Sequence, residues 1–352
     1  MLNTVVATPF LSALERPSLR RLFRCLTLAI FAIAFATLPV AAFGQSFTTF
    51  DPPGAISTTA LSINTAGAIT GWFNDASGTH GFLRDATGAI TTFDVMDGLL
   101  GTTALSINTA GVITGYYRDQ QSRDHGFIRS VTGEFTTFDP TGSVSTVPFS
   151  INPVGVVAGR YTLANQISHG FVRSVNGQLT TFDPPRSFNT TPTSINGAGV
   201  ITGFFTSGIT GIPLGFLRDA TGAFTTFQLK DAINGTFPLS INSAGVITGF
   251  FRDTSNVFHG FERTKNGHVT VFDPPGSIST TATCINQAEV ITGYYIDATR
   301  LIHGFRRAVT GGITTFDLPN STDTFSSSIN QAGAITGYYT DTSGQHGFLA
   351  IP

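Results

Sequence analysis

The chain is 352 residues long and close to neutral, with 19 basic against 21 acidic residues; charged residues are only 11% of it, while Phe and Gly number 32 and 39. Without a basic excess or cluster, it lacks the electrostatic footprint of a binder of nucleic acid or anionic membrane. Only two cysteines are present, Cys25 and Cys284, so a disulfide framework is excluded and stability has to come from a packed core.

The first 44 residues stand apart. Arg16, Arg20, Arg21 and Arg24 form a basic region, an apolar run extends from Cys25 to Leu38, Pro39 breaks it, and the small residues of VAAFGQ follow. A basic start, a short apolar centre and an A-x-A-like end describe a cleaved export signal, cut after Ala42 or Gly44. The run is shorter than the ~20 apolar residues a membrane helix needs. The string RRLF also resembles a twin-arginine signal. Residues 1–44 are therefore expected to be removed, and 45–352 to be exported to the periplasm, cell surface or medium with no membrane span. Loss of the signal takes away four basic residues and Glu15, leaving a charge near −5. A monomer is expected.

From residue 47 onward one unit recurs. The triplet SIN (once CIN) places Asn at Asn64, Asn108, Asn152, Asn196, Asn242, Asn286 and Asn330, at spacings of 44, 44, 44, 46, 44 and 44 residues. A fixed period of this size means one supersecondary unit packed on copies of itself. In the first copy, ALSIN (60–64), AITGWF (68–73), HGFLR (80–84) and AITTF (89–93) are short β-branched and aromatic segments, separated by the turn residues of TAG, NDASGT and DATG. No segment has the 3.6-residue apolar period of a helix. Each unit thus reads as a four-stranded antiparallel meander with apolar or small residues on both faces. Sheets buried on both sides in units of about 44 residues predict an all-β, seven-bladed β-propeller. A linear β-solenoid, the competing architecture, has shorter coils that pair in parallel.

The chain ends predict closure. A TTF-type segment occurs at 48–50, 91–93, 136–138, 180–182, 225–227, 270–272 and 314–316. The first precedes any SIN, and the last unit stops at HGFLAIP without one. The N-terminal strand is therefore expected to pair with residues 346–351 and complete the last blade.

The unit SIN-x-AG-x-ITG-YY-x-D-xxxx-HGF-LR-xx-x-G resembles the HAF extracellular repeat of secreted bacterial proteins, over nearly all of residues 47–352. The likeness lies in the Asn-x-x-Gly turn, the Gly-aromatic strand and the His-small-Phe triplet. The sequence departs from the family in having HGF for His-Ala-Phe and in its TTFDPPG connection. The resemblance implies a secreted or surface protein with a propeller-like fold and supplies no catalytic residue.

With the inner strand first, the TAG and DATG turns share one face. The b–c loops (NDASGT) and the inter-unit connections (DPPGAIST) share the other, longer-looped face, where binding is expected. Two residue classes recur there. His80, His125, His169, His259, His303 and His346 open the third strand; Asp94, Asp139, Asp183, Asp273, Asp317 and Asp51 follow the fourth. The fourth unit loses both together, with Leu214 and Gln228, so a structural His–Asp hydrogen bond within each of the other six sheets is expected. One pair per blade supplies too few ligands for a metal. Asp75, Asp119, Asp253, Asp297 and Asp341 in the b–c loops read as turn formers, too sparse for calcium. No cofactor or metal is expected.

The aromatic doublets Trp72-Phe73, Tyr116-Tyr117, Phe204-Phe205, Phe250-Phe251, Tyr294-Tyr295 and Tyr338-Tyr339 end the second strand, with Arg160-Tyr161 in the third unit. Most of these rings should be core. Trp72, Tyr116, Tyr294 and Tyr338, each near a loop Asp, are also platforms on which a sugar can stack. Arg160 and Arg186, outside the repeat pattern, are candidates for an anion or acidic sugar. No Gly-x-Ser-x-Gly elbow, HExxH or phosphate loop is present. Three readings result: a non-catalytic module binding an extracellular glycan or protein; a carbohydrate-active lyase or glycosidase working at the channel mouth; and a purely structural surface protein.

Overall fold

A computed structural model describes residues 46–98 and 100–352. The expected export signal, residues 1–44 with Cys25, lies outside the described residues. Within them the chain is all-β, with 28 strands numbered β1–β28 in chain order and no helix.

The first unit is β2 (Ser57–Ile63), β3 (Ile69–Asn74), β4 (Thr79–Arg84) and β5 (Ile90–Phe93), paired antiparallel in that order. Five further sets of four repeat this meander. The final set is β26 (Asp323–Ile329), β27 (Ile335–Asp341) and β28 (Gly344–Ile351), with β1 (Ser46–Phe50) in fourth place. Ser46 lies opposite Ile351 and Phe50 opposite Gly347.

The first strands of the units are β2, β6 (Gly101–Ile107), β10 (Ser143–Ile151), β14 (Ser187–Ile195), β18 (Thr236–Ile241), β22 (Ser277–Ile285) and β26. Each lies against the next, and β26 lies against β2. Two polar stitches hold them. The buried Asn side chain accepts from its own turn, as at Ala68 N to Asn64 Oδ1 (3.0 Å), and donates to the main-chain carbonyl of the next Asn, as at Asn64 Nδ2 to Asn108 O (3.1 Å). The preceding Ser accepts the next unit's Ile N–H, as from Ile107 to Ser62 Oγ (3.2 Å). Cys284 occupies this Ser position, with its sulfur 3.9 Å from the hydroxyls of Ser240 and Ser328.

Each first strand carries a bulged residue before its SIN triplet, namely Leu61, Leu105, Phe149, Thr193, Leu239, Thr283 and Ser327 in turn, and β10, β14 and β22 have a second register shift near their start. Beside the bulge the two backbones come close. A Cβ on Gly71 would meet Thr59 O at 2.0 Å and the Phe82 ring at 3.0 Å, so the Gly of ITG is a packing requirement. The core lies between adjacent sheets. Phe82, Phe127, Phe171, Phe216, Phe261, Phe305 and Phe348 of the GF dipeptide are fully buried, each contributing ~1.5–3 kcal/mol by burial. All but Phe261 meet a TTF-type ring of the preceding unit edge-on, as in Phe50–Phe82 at 5.9 Å and Phe138–Phe171 at 5.8 Å.

Candidate functional site

The aromatic doublets divide by the alternation of the strand. Their second members are buried: Phe73, Tyr117, Tyr161, Phe205, Phe251, Tyr295 and Tyr339. In six units that ring packs on the histidine of the neighbouring strand, with centroids 5.0–5.3 Å apart, from Tyr295–His303 to Tyr339–His346. In the fourth unit Phe205 lies opposite Leu214.

Five of the six imidazoles face a carboxylate at both nitrogens, and His169 does so at Nδ1 alone. Nδ1 faces the aspartate after the fourth strand: His80–Asp94 2.8 Å, His125–Asp139 2.6 Å, His169–Asp183 2.6 Å, His259–Asp273 2.7 Å, His303–Asp317 2.8 Å and His346–Asp51 2.6 Å. Nε2 faces the loop aspartate: Asp75 and Asp119 at 3.1 Å, Asp297 at 3.3 Å, Asp341 at 3.4 Å and Asp253 at 3.6 Å. The third unit has Leu163 at the loop position. The outer carboxylates also reach the next unit, where the buried hydroxyls of Thr58, Thr146 and Thr190 donate to Asp51, Asp139 and Asp183 at 2.5 Å. In the fourth unit Gln228 Nε2 donates instead to Ala232 O at 2.8 Å.

These contacts shift the titrations. Partial burial pulls His80, His125 and His303 down, but hydrogen bonds and charge from their two carboxylates outweigh it and hold all three above the ordinary histidine value. The Ser77 hydroxyl and amide hold Asp75 down at about 2, and the Thr299 hydroxyl does the same for Asp297. Through these contacts the histidines tie the third strand to the end of the fourth in six units and to the b–c loop in five of them. Among the described residues no group of three or more His, Cys, Asp or Glu side chains is arranged to hold a metal ion.

Four first members of the doublets, Arg160, Phe204, Tyr294 and Tyr338, face a common cavity. All seven bulged residues line this cavity, of about 620 Å³. Arg160, Phe204, Tyr294, Phe325 and Tyr338 line it on the side toward the b–c loops, with Thr191 beside them. Phe325 stacks on Tyr338 at 4.7 Å and meets Tyr294 edge-on at 5.0 Å; the Arg160 guanidinium lies 5.7 Å from the centre of the Phe149 ring. Burial, reinforced by Tyr294, pushes the Tyr338 phenol up to about 12. Phe250 is instead stacked between Phe237 (4.8 Å) and Phe258 (4.9 Å), and the Arg252 guanidinium lies over those two outer rings.

Trp72 and Tyr116 line a second cavity, of about 340 Å³, between the first and second units, with Asn74, Thr103 and Arg118. Leu105 borders both cavities. The connection between these units reads DVMDGLLG instead of DPPG; its Leu100 lines the second cavity and Met96 is 93% exposed.

Of the ten candidate binding residues, Arg160, Tyr294 and Tyr338 meet at the larger cavity, and Trp72 and Tyr116 at the smaller. Asp75, Asp119, Asp297 and Asp341 line neither and turn inward, each accepting amide hydrogen bonds of its own loop. Arg186 is exposed on a connection with φ 63° and lines neither cavity. Sequence reasoning missed the buried arginines that follow the GF dipeptide, among them Arg84 over Phe50 (5.1 Å) and Arg263 over Phe227 (4.6 Å). Their signal was present as the regular final Arg of HGFxR.

No protein-family model matches the chain, and no curated protein is similar to it in sequence. Similar solved structures exist at low identity. A streptogramin B lyase aligns at TM-score 0.56 with 15% identity, over 87% of this chain and 97% of its own. Virginiamycin B lyase from Staphylococcus aureus aligns at 0.57 with 12% identity, over 88% and 100%. With the sheets arranged as above, the fold is a β-propeller.

Proposed function

We propose that residues 45–352 form an exported, seven-bladed β-propeller, closed by β1 in the last blade, that works as a non-catalytic binding module for an extracellular glycan. The cyclic contacts of the inner strands and the β1–β28 pairing support the count and the closure. The export signal and the resemblance to HAF-type extracellular repeats support the location. The observation that carries the function is the cavity at the channel mouth, where Phe204, Tyr294, Phe325 and Tyr338 gather beside threonine and serine side chains. Apolar ring faces next to hydroxyls match a pyranose, which has a C–H face and a polar rim. The six His–Asp pairs are read as structural, because every Nδ1 is engaged by its aspartate and five of the six Nε2 atoms face a second one.

The test is a glycan array and a turnover screen on the purified mature chain. Binding without turnover, lost in Tyr338→Ala, is expected. Turnover abolished by changing Arg160, with folding intact, would make the protein a carbohydrate-active enzyme. Silence in both assays would leave a structural surface protein.

A further inference from the structure

One unit breaks the aromatic pattern at the mouth. Six units place Trp, Tyr or Phe at the first position of the doublet, and the third places Arg160. Arg160 is the only charged side chain lining the mouth cavity. It takes part in none of the ion pairs found among the described residues. Its guanidinium lies by the Phe149 face, an arrangement that leaves the N–H edges for a planar acceptor.

The hydrogen-bonding groups around it have fixed senses. Thr193 and Thr283 donate their hydroxyl protons to main-chain carbonyls, at 2.9 Å to Pro238 O and 2.8 Å to Ser326 O, so toward the cavity they act as acceptors. Tyr338, held neutral far above physiological pH, remains a donor. An unpaired cation in a partly desolvated aromatic cup attracts an anion more strongly than one in open water, and a carboxylate matches its fork in two hydrogen bonds.

We propose that the mouth cavity takes a uronic-acid residue of a glycan, with its carboxylate on Arg160, its ring on the aromatic wall and its hydroxyls on Thr193, Thr283 and Tyr338. This rests on the glycan-binding reading above and adds the charge of the ligand. A sugar is favoured over an acidic peptide because the remaining wall offers ring faces and hydroxyls but no second cation for a run of carboxylates.

The experiment is calorimetric titration of the mature chain with trigalacturonate, galactotriose and hexaaspartate, at low and high salt, for wild type, Arg160→Gln and Arg160→Tyr. Arg160→Tyr restores the residue type of the other units, and thermal melting checks that each variant folds. Expected are binding of trigalacturonate at least tenfold tighter than galactotriose, weakening with salt, and a tenfold or greater loss of that preference in both variants. Equal binding of the two sugars, or trigalacturonate binding indifferent to Arg160, overturns the inference and leaves the glycan-binding reading intact. Preference for hexaaspartate also overturns it. No binding of either sugar, with glycan-array binding also absent, overturns both.

Discussion

The side-chain amide of Asn330 donates to the main-chain carbonyl of Asn64, 266 residues earlier, at 3.2 Å. It completes a series in which every SIN asparagine donates to the next one's carbonyl, through Asn108, Asn152, Asn196, Asn242 and Asn286. The same side chain caps its own turn, with Ala334 N to Asn330 Oδ1 at 3.0 Å. The two roles separate chemically, since a carboxylate can accept the turn's N–H but cannot donate across the seam. Asn330→Asp should cost about 1–3 kcal/mol in denaturant unfolding, because the buried Asn64 carbonyl keeps only the Gly67 N–H of its two donors and gains a carboxylate beside it. Asn330→Ala should cost at least as much. Asp equal to wild type would show that the turn cap alone matters.

The β1–β28 pairing predicts a large effect from a small deletion. Removing residues 46–50 strips Phe50 from Phe82 and Arg84 and leaves the β28 edge, including its buried Phe348, without a neighbour. Exposed edges recruit other strands. The truncated chain should melt several degrees lower and self-associate in light scattering. An unchanged monomer with unchanged melting would argue against closure through β1.

For the histidines, the fourth unit supplies a natural control. There Leu214 and Gln228 replace the pair, with Leu214 packed on a core cluster. His125→Leu alone should destabilise by roughly 1 kcal/mol, since Asp119 and Asp139 lose their common donor while keeping contact with solvent. Adding Asp139→Gln should recover part of that loss. A double mutant whose cost is the sum of the single costs would show that the two residues are not coupled.

The pH profile follows from the same contacts. His80, His125 and His303 have raised values in the fold. Their contribution is complete below the ordinary 6.5 and is lost as pH rises through the raised folded values. Asp75 and Asp297, lowered to about 2, contribute fully above the ordinary 3.8 and lose it as pH falls toward 2. Melting temperature at constant salt should therefore be highest between about pH 4 and 6.5 and decline on both sides. Replacing His80 and His303 by Gln should flatten the alkaline decline; a decline of unchanged size would place its origin elsewhere.

The parts of this fold legible in the sequence are those fixed by local chemistry repeated at a set period. The Asn-x-x-Gly turn, the strand alternation and the joint loss of His and Asp at Leu214 and Gln228 all lie within one unit. What stayed hidden depends on neighbouring units or on the path of a loop. The Asn amide's second bond goes to a main-chain carbonyl in the next copy, which no side-chain pattern records. The loop aspartates accept amides of their own loops, but their second approach, to His Nε2, required the loop's path in space. The separation of Trp72 and Tyr116 from Tyr294 and Tyr338 was equally hidden, because all occupy the same repeat position. It arises from the aberrant DVMDGLLG connection, whose Leu100 and Gly101 help to wall off the smaller cavity.

Trp72 is the only tryptophan in the chain, so its fluorescence reports on one place. It lines the smaller cavity with Tyr116, and Leu105 joins that cavity to the mouth. A glycan anchored at Tyr294 and Tyr338 and extending outward along this path would cover the indole. An oligosaccharide that binds should therefore shift or quench the Trp72 emission, whereas a monosaccharide held at the mouth should leave it unchanged. Trp72→Ala should weaken the oligosaccharide by more than about fivefold, the loss of a buried aromatic contact worth upward of 1 kcal/mol, and leave monosaccharide affinity as it was. Tyr338→Ala should weaken both. If Trp72→Ala weakens the two ligands equally, the smaller cavity is not an extension of the mouth, and the indole acts by supporting the first inner strand.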